Sequence, residues 1–212
     1  MNELLKLDKD FVQFYEKNKQ RKPKLNDEEL MATYIKTLEN KTPPKPLSRS
    51  RASNCYRISP HIIKKVFLPN TKDRITWEIQ ALKKLEKYSH FPKVLLVDLS
   101  DPNHKAFYMN DVGVQLRSIR DLAYLPHDLF EQVDEIITAL KTTGVFNRDL
   151  SLEHFLIKNQ KLSLIDFEKC FISREQYEHH KKTKTSTWLK LPYHDMDHIR
   201  EMIQTYVLSI SR

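Results

Sequence analysis

The sequence predicts an α+β fold in which a strand-rich part and a mainly helical part follow a helical N-terminal segment. Apolar residues recur at helical spacing before residue 45 and again in several later stretches. From about Cys55, short runs rich in β-branched and aromatic residues are typical of strands. We therefore expect three segments: a helical extension over 1–45, a strand-rich lobe over 46–111, and a small, mainly helical lobe over 112–212.

The N-terminal segment carries the signals of two helices and a linker. Residues 3–18 have an amphipathic helical pattern. A second helix is expected to begin near Asn26, a suitable N-cap with Glu29 three residues further on. The stretch KTPPKPLSRSR, residues 41–51, interrupts the helical pattern and predicts a linker.

The later elements follow from alternating signals along the chain. CYRIS and HIIKKVF predict a hairpin, ITWEIQALKKLEKY predicts a helix, and KVLLVDL and KAFYMND predict two further strands. LPHDLFEQVDEIITALKTTG predicts a helix with Gly144 just after its end. A hairpin is then expected to join 155–158 to 162–165, and a last helix to cover about 195–208.

Composition restricts the function classes. The 212 residues carry a net charge of +8, which favours an anionic partner. Glycine occurs only at Gly113 and Gly144, so a glycine-rich phosphate loop is excluded. Cys55 and Cys170 have no metal-ligand spacing. No apolar run reaches membrane-spanning length and the N-terminus has no secretory pattern, so a cytoplasmic location is expected.

Two aspartates lie at the ends of segments that otherwise have the pattern of buried structure. Asp149 is in a polar loop after the helix that ends near Gly144, and Asp166 directly follows the apolar run LSLI. The predicted hairpin would bring Asp149, His154 and Asp166 to the same end of one small sheet. A phosphoryl-transfer site needs a carboxylate near the attacking hydroxyl and oxygen ligands for Mg²⁺, which these residues can supply.

The stretches NRDLSLEHFLI and LIDFE resemble the catalytic and metal-binding loops of the protein-kinase-like fold, usually H-R-D-L-x-x-x-N and D-F-G. They are most similar to bacterial lipopolysaccharide kinases of the Kdo and heptose type, which also carry an RD…HFLL loop. The resemblance implies a bilobal kinase-like fold with a reduced C-lobe. It implies that Asp149 is the catalytic base with Arg148 beside it, and that Asp166 is the principal Mg²⁺ ligand. By the same resemblance His154 would be a metal or loop-ordering ligand, and Glu168, in place of glycine, a second metal ligand.

Upstream stretches agree with this resemblance in their order. HIIKKVF is similar to the third kinase strand, which implies that Lys64 contacts the phosphates. Lys65 is the alternative, because neighbouring strand residues point to opposite faces. WEIQALKKLEKY is similar to the kinase αC helix, with Glu78 as the partner of that lysine. FYMNDVGVQL stands in the place of the hinge, where the backbone from Met109 to Asp111 would bind adenine.

Two loops depart from the family pattern. Asn147 replaces a histidine that mainly supports the backbone of the catalytic loop. LSRSRASNCYRI stands where the glycine-rich loop is expected, with serines, Ser50 and Ser53 among them, in the glycine positions. Their hydroxyls, together with Arg49 or Arg51, are expected to contact phosphate.

The resemblance implies an enzyme that transfers the γ-phosphate of ATP to a hydroxyl, with Mg²⁺ or Mn²⁺ as cofactor. The expected acceptor is a sugar of the lipopolysaccharide core at the cytoplasmic face of the inner membrane, where a basic surface suits peripheral contact with anionic lipid. Nucleic acid is not expected as a partner. Two alternatives stay open: a small atypical Ser/Thr/Tyr protein kinase of effector or phage type, and a nucleotide-binding pseudokinase.

Four histidines near the C-terminal end suggest a second metal hypothesis. His194 and His198 are one helical turn apart, and His179 and His180 precede them. Because no third ligand is clearly placed, we expect an exposed surface there. The basic stretch HHKKTKTSTWLK is either a segment that holds an anionic substrate or an exposed loop.

Overall fold

The computed structural model describes residues 8–21, 25–41, 43–147, 149–176 and 196–211 of the chain. These residues form an α+β fold with antiparallel sheets, in agreement with the predicted fold class. The helices are α1 Lys9–Arg21, α2 Asp27–Lys41, α3 Lys72–Lys84, α4 Leu129–Thr143 and α5 Met196–Ile210. The strands are β1 Lys45–Arg49, β2 Ser53–Ser59, β3 Ile62–Phe67, β4 Val94–Asp98, β5 Ala106–Asn110, β6 Val114–Gln115, β7 Phe146–Asn147, β8 Phe155–Lys158, β9 Lys161–Leu164 and β10 Cys170–Phe171.

The described chain divides into two compact units. The first contains the described residues up to Ile75 together with Lys93–Asp111. The second contains Thr76–Pro92 and the described residues from Val112 onward. Across the described ranges, no helix combines the length and the apolar character that crossing a lipid bilayer requires.

The first unit is built on a five-stranded antiparallel sheet in the order β1-β2-β3-β5-β4. The predicted hairpin is present as β2 and β3, in which Tyr56 lies opposite Lys64 and Cys55 opposite Lys65. Strand β1 lies within the stretch that was predicted to be a linker, so that prediction is wrong. Pro46 fits in β1 because an edge strand needs no partner for one row of its N–H groups.

The N-terminal helices pack against this sheet. Asp8 caps α1, because its carboxylate accepts a hydrogen bond from the N–H of Phe11 at 3.0 Å. The predicted capping box of α2 is confirmed, since Asn26 and Glu29 exchange hydrogen bonds of 2.8 and 2.9 Å. One buried cluster joins helices and sheet: Phe11, Met31, Tyr34, Ile35, Ile58, Ile62 and Tyr108. Each large apolar side chain buried in this way contributes about 1.5–3 kcal/mol, so the cluster holds the helices to the sheet.

The second unit combines α4 and α5 with a three-stranded sheet, β6-β8-β9, and a two-stranded pair, β7 with β10. Helix α4 ends, as predicted, at Gly144, which has the left-handed backbone of a helix C-cap with φ +65°. Gly113 has φ +112°, and a Cβ there would lie 2.0 Å from the carbonyl oxygen of Ile157. Only glycine therefore allows the chain to enter β6 so close to β8.

Candidate active site

The β8–β9 hairpin brings together two of the predicted site residues. Its two-residue turn, Asn159 and Gln160, has φ +51° and +61°, the left-handed conformation that a tight hairpin turn needs. His154 directly precedes β8, and its carbonyl accepts a hydrogen bond of 2.9 Å from the N–H of Ile165. As a result, Nε2 of His154 lies 3.4 Å from Oδ2 of Asp166. The predicted meeting of His154 and Asp166 at one end of the hairpin is confirmed.

Asn147 joins the loops that carry the two aspartates. Its side chain is buried, with 2% of the residue exposed. Its amide nitrogen donates to the carbonyl oxygen of Asp166 at 2.9 Å, and its Oδ1 accepts from the N–H of Asp149 at 3.0 Å. A single buried amide thus fixes both loops, which is the backbone-supporting role expected for this position.

Three carboxylates converge within the second unit. Oxygens of Glu78, Asp166 and Glu168 all lie within 4.8 Å of one another. Glu78 and Glu168 are buried, with 1% and 7% of each residue exposed. The N–H of Phe167 donates to Oε1 of Glu78 at 3.3 Å, which fixes α3 to the segment between the other two acids. Carboxylate oxygens are the ligands that Mg²⁺ prefers, so the donor set fits a hard divalent cation.

His154 has a different place from the one expected of a metal ligand. The group of three acids contains Glu78, whereas His154 contacts Asp166 through Nε2. Its Nδ1 is buried and has no hydrogen-bond partner among the described residues. Imidazole is also a poor ligand for Mg²⁺ compared with oxygen donors. The geometry therefore favours the loop-ordering role of His154.

The backbone of Asp166 is strained. Its φ of +68° is left-handed, a conformation that costs about 1 kcal/mol or more for a residue other than glycine. Asn159 and Gln160 share this conformation, but they form a tight hairpin turn. Asp166 follows the hairpin, and its carbonyl is held by Asn147. Strain that is maintained by surrounding bonds is typical of functional positions.

Asp149 is accessible at the surface of the second unit. Its side chain is 46% exposed, and its Oδ2 lies 2.6 Å from the ammonium nitrogen of Lys169. The hydrogen bond from the N–H of Asp149 to Oδ1 of Asn147 fixes the backbone of Asp149. Arg148, expected beside it, lies outside the described residues.

Lys64 forms an ion pair within the first unit. Its ammonium lies 2.7 Å from Oε1 of Glu39 on α2, and the hydroxyl of Tyr108 donates to the same oxygen at 3.1 Å. Burial acts to lower the pKa of Lys64, but the hydrogen bonds to Glu39 and Tyr108 raise that pKa above its ordinary value overall. This pairing runs against the expected pairing of Lys64 with Glu78. Lys65, the alternative, is 4% exposed and lies on the other face of β3, with its ammonium 5.3 Å from the ring centre of Phe67.

The serines of the β1–β2 turn are engaged in the turn itself. Oγ of Ser50 accepts from the N–H groups of Ala52 and Ser53 at 3.1 and 2.9 Å, and donates to the carbonyl of Ser53 at 3.0 Å. Ser53 is buried, with 6% exposed. In this conformation the Ser50 hydroxyl bonds within the turn, and the contact of these two hydroxyls with phosphate stays a prediction. Here the hydroxyl of Ser50 supplies the hydrogen bonds that close the turn.

The expected hinge residues lie at the end of β5 and directly after it. Met109 lies in β5, opposite Ile63 on one side and Val94 on the other. The N–H of Asp111 donates to the carbonyl of His61 at 2.8 Å, and its carboxylate pairs with Arg57 at 3.0 Å. The N–H of Asp111 is therefore paired with His61, and the contact of this stretch with adenine stays a prediction.

The histidine hypothesis concerns mostly residues outside the described ranges. His179, His180 and His194 fall there, as does the rest of the basic stretch over 179–190. His198 is on α5, and its Nδ1 lies 3.9 Å from Oε2 of Glu201 in an exposed pair.

Three features of the site were missed at the sequence level. The β7–β10 pair is only two residues long on each side, too short for any periodic signal. Without it, neither the contact of Lys169 with Asp149 nor the double role of Asn147 could be derived. Glu78 was expected beside a lysine, and its convergence with Asp166 and Glu168 depends on tertiary structure.

In comparisons with known proteins, neither a family model nor a curated protein matches the chain.

Proposed function

We propose that the protein is a small phosphotransferase that transfers the γ-phosphoryl group of ATP to a hydroxyl, on a reduced, bilobal kinase-like fold with an N-terminal helical extension. The observation that carries the proposal is the double hydrogen bond of Asn147, which fixes the loop of Asp149 to the loop of Asp166. The kinase-like resemblance gives these two aspartates different roles in one reaction, and a transfer site needs both loops in a fixed relation.

The acids of the second unit would hold the cation. Asp166 and Glu168, with Glu78 beside them, would bind Mg²⁺ or Mn²⁺, which neutralises the charge of the nucleotide phosphates when it is bound. Asn147 fixes the carbonyl of Asp166, and His154 contacts its carboxylate. These contacts orient the ligand residues before any nucleotide arrives, which is the usual basis of electrostatic preorganisation.

The transfer step needs only one proton acceptor from the chain. The acceptor hydroxyl oxygen forms a bond to the γ-phosphorus while the bond from that phosphorus to the bridging oxygen breaks, and ADP leaves with the electron pair. The hydroxyl proton passes to Asp149 and then to solvent. The exposed carboxylate of Asp149 suits this role, because an acceptor can reach it.

Lys65 takes the role of phosphate-contacting lysine in this proposal. Lys64 is paired with Glu39, whereas Lys65 is the buried lysine of β3 on the opposite face. The preferred acceptor is a sugar hydroxyl of the lipopolysaccharide core, on the strength of the RD…HFLI resemblance. The basic composition agrees with an anionic glycolipid acceptor and with peripheral contact at an anionic membrane face.

A nucleotide-binding pseudokinase is the second candidate. It is favoured by the β1–β2 turn, where the hydroxyl of Ser50 already accepts from the N–H groups of Ala52 and Ser53. In kinases with a glycine-rich loop such N–H groups are available to phosphate.

The two candidates are separated by incubating the full chain with Mg²⁺ and γ-labelled ATP. Three acceptors are compared: water alone, purified lipopolysaccharide core glycan, and the proteins of a bacterial lysate. We expect labelled glycan from the wild type and at least about 100-fold less from Asp149→Asn. Label in protein alone would transfer the proposal to a protein kinase. Nucleotide binding with no label in any product, inorganic phosphate included, would leave the pseudokinase.

A further inference from the structure

Lys169 occupies a position that the backbone fixes. Strands β7 and β10 are antiparallel, with Cys170 opposite Asn147. Lys169 directly precedes Cys170, at the end of β10 where the partner strand ends with Asn147. The turn before β10 is closed by a hydrogen bond of 3.2 Å from the N–H of Cys170 to the carbonyl of Phe167. Lys169 is therefore held from both sides by ordered backbone.

The contact that results is short and accessible. Nζ of Lys169 lies 2.6 Å from Oδ2 of Asp149, and the two side chains are 40% and 46% exposed. An exposed ion pair contributes only about 0–1 kcal/mol to stability, so the fold gains little from this one. The loops that position the pair also carry Asn147 and Asp166, whose bonds define the candidate active site. This placement points to a role in chemistry.

We propose that Lys169 contacts the transferred phosphoryl group and stabilises its charge during transfer; this inference rests on the phosphotransferase function proposed above. An acceptor hydroxyl that gives its proton to Asp149 must lie within hydrogen-bond distance of that carboxylate. The γ-phosphoryl group is bonded to the same hydroxyl oxygen as transfer proceeds. A cation 2.6 Å from Asp149 is therefore within reach of the phosphoryl oxygens.

The chemistry of the lysine side chain suits both contacts. An ammonium has three donors, so Lys169 can donate to Asp149 and to a phosphoryl oxygen together. Negative charge is spread over three equatorial oxygens in the transition state of phosphoryl transfer. A fixed positive charge beside those oxygens lowers the barrier without any rearrangement at the moment of reaction. No new bond to Lys169 forms, and the proton of the acceptor still goes to Asp149.

An inhibitory role for the same contact makes the opposite prediction. If the ammonium only blocked Asp149, removal of the charge would expose the carboxylate and raise the rate. If the pair only held the loop in place, its removal would lower stability and rate together. These outcomes differ in the turnover number, the melting temperature and the response to added amines.

The test uses the full chain, Mg²⁺ and γ-labelled ATP, with transfer of the label to the three acceptors compared above as the measured reaction. Lys169→Met removes the charge and keeps the length of the side chain, whereas Lys169→Arg keeps the charge. Lys83→Met, at an exposed lysine of α3, is the matched control. We expect Lys169→Met to lower kcat about 100-fold with little change in the KM for ATP or in Tm. Lys169→Arg should retain part of the activity, and millimolar ethylammonium should recover part of it in Lys169→Ala, whose short side chain leaves room for the amine.

Several results would overturn the inference. A kcat for Lys169→Met equal to that of Lys83→Met would remove Lys169 from the reaction, and an increase would make the contact inhibitory. A fall in kcat with a matching fall in Tm, and no recovery by ethylammonium, would make the residue structural. If the wild type labelled none of these acceptors above the level of Asp149→Asn, the proposed function would fail and this inference with it. That outcome is distinct, because every variant would then give the same background.

Discussion

The two units each contain a cluster of charged side chains, and the clusters are assembled in opposite ways. In the first unit, Glu39 receives the ammonium of Lys64 at 2.7 Å and the hydroxyl of Tyr108 at 3.1 Å. In the second unit, oxygens of three acids lie within 4.8 Å of one another. Contact between opposite charges stabilises a fold without any ligand, whereas like charges held together raise its free energy unless a cation offsets them. The first cluster is thus complete within the fold, whereas the second is a set of oxygen donors of the kind that the proposed cation would need.

The location of strain supports the same distinction. In the hairpin of the second unit, the left-handed residues Asn159 and Gln160 form a turn that the two strands require. Asp166 is left-handed outside that turn and carries one of the three converging carboxylates. A residue that is both strained and close to like charges is costly for stability. Such a cost persists where it supports function.

The largest expected effect comes from removing one charge of the acidic cluster. Asp166→Asn keeps the size of the side chain and loses the carboxylate, so we expect phosphoryl transfer to fall about 1000-fold. Mg²⁺ should raise the stability of the wild type by about 2.7 kcal/mol at a concentration 100 times its Kd, and this gain should be absent in the variant. Label transfer and thermal melting with and without Mg²⁺ measure the two effects.

The control for this experiment is Glu175→Gln, which removes an exposed acid of the second unit. It should retain both the activity and the stabilisation by Mg²⁺. Equal stabilisation of Asp166→Asn and the wild type by Mg²⁺ would show that the acidic cluster is not the cation site.

The next effect distinguishes the two neighbouring lysines of β3. Lys65→Met should lower label transfer about 100-fold, because Lys65 is the proposed contact to the phosphates. Lys64→Met should change it by less than about threefold, because a partly exposed ion pair to Glu39 affects stability and not chemistry. Steady-state rates of both variants at saturating ATP provide the measurement. A larger loss in Lys64→Met than in Lys65→Met would reverse this assignment.

In the second unit, the sequence predicted correctly those features that depend on residues close together in the chain. The hairpin from Phe155 to Leu164 follows from two apolar runs around a polar pair, and it is enough to place His154 beside Asp166. The C-cap of α4 follows from Gly144, because few other residues adopt that conformation. These features depend on neighbours in the sequence, which is why the sequence alone reveals them.

In the first unit, several features could not be predicted from the sequence. Strand β1 was predicted as a linker because Pro46, Ser48 and their neighbours are typical of turns, and only its pairing with β2 makes it a strand. The sequence could not show that Lys64 pairs with Glu39, 25 residues upstream, and the proposed choice of Lys65 depends on that pairing. The hydrogen bonds of the Ser50 hydroxyl within its own turn were also not foreseen. Each error concerns a partner that is specified by tertiary packing or by local hydrogen bonding.

The smallest expected effect is on stability and tests the structural cluster alone. Lys64→Met should lower the free energy of unfolding by about 1 kcal/mol in urea titrations near pH 7, because it removes a partly buried ion pair. The folded-state pKa of Lys64 is raised above its unfolded value of 10.5. The contribution of the pair is therefore complete below that value and is lost as the pH rises through the higher folded-state pKa. Burial also raises the pKa of the Tyr108 phenol, so its contribution falls in the same alkaline range. The difference between wild type and variant should stay constant from about pH 7 to about pH 9 and shrink only above about pH 10.5. If the difference already shrinks between about pH 7 and about pH 9, another group with a pKa nearer neutrality controls the stability of the cluster.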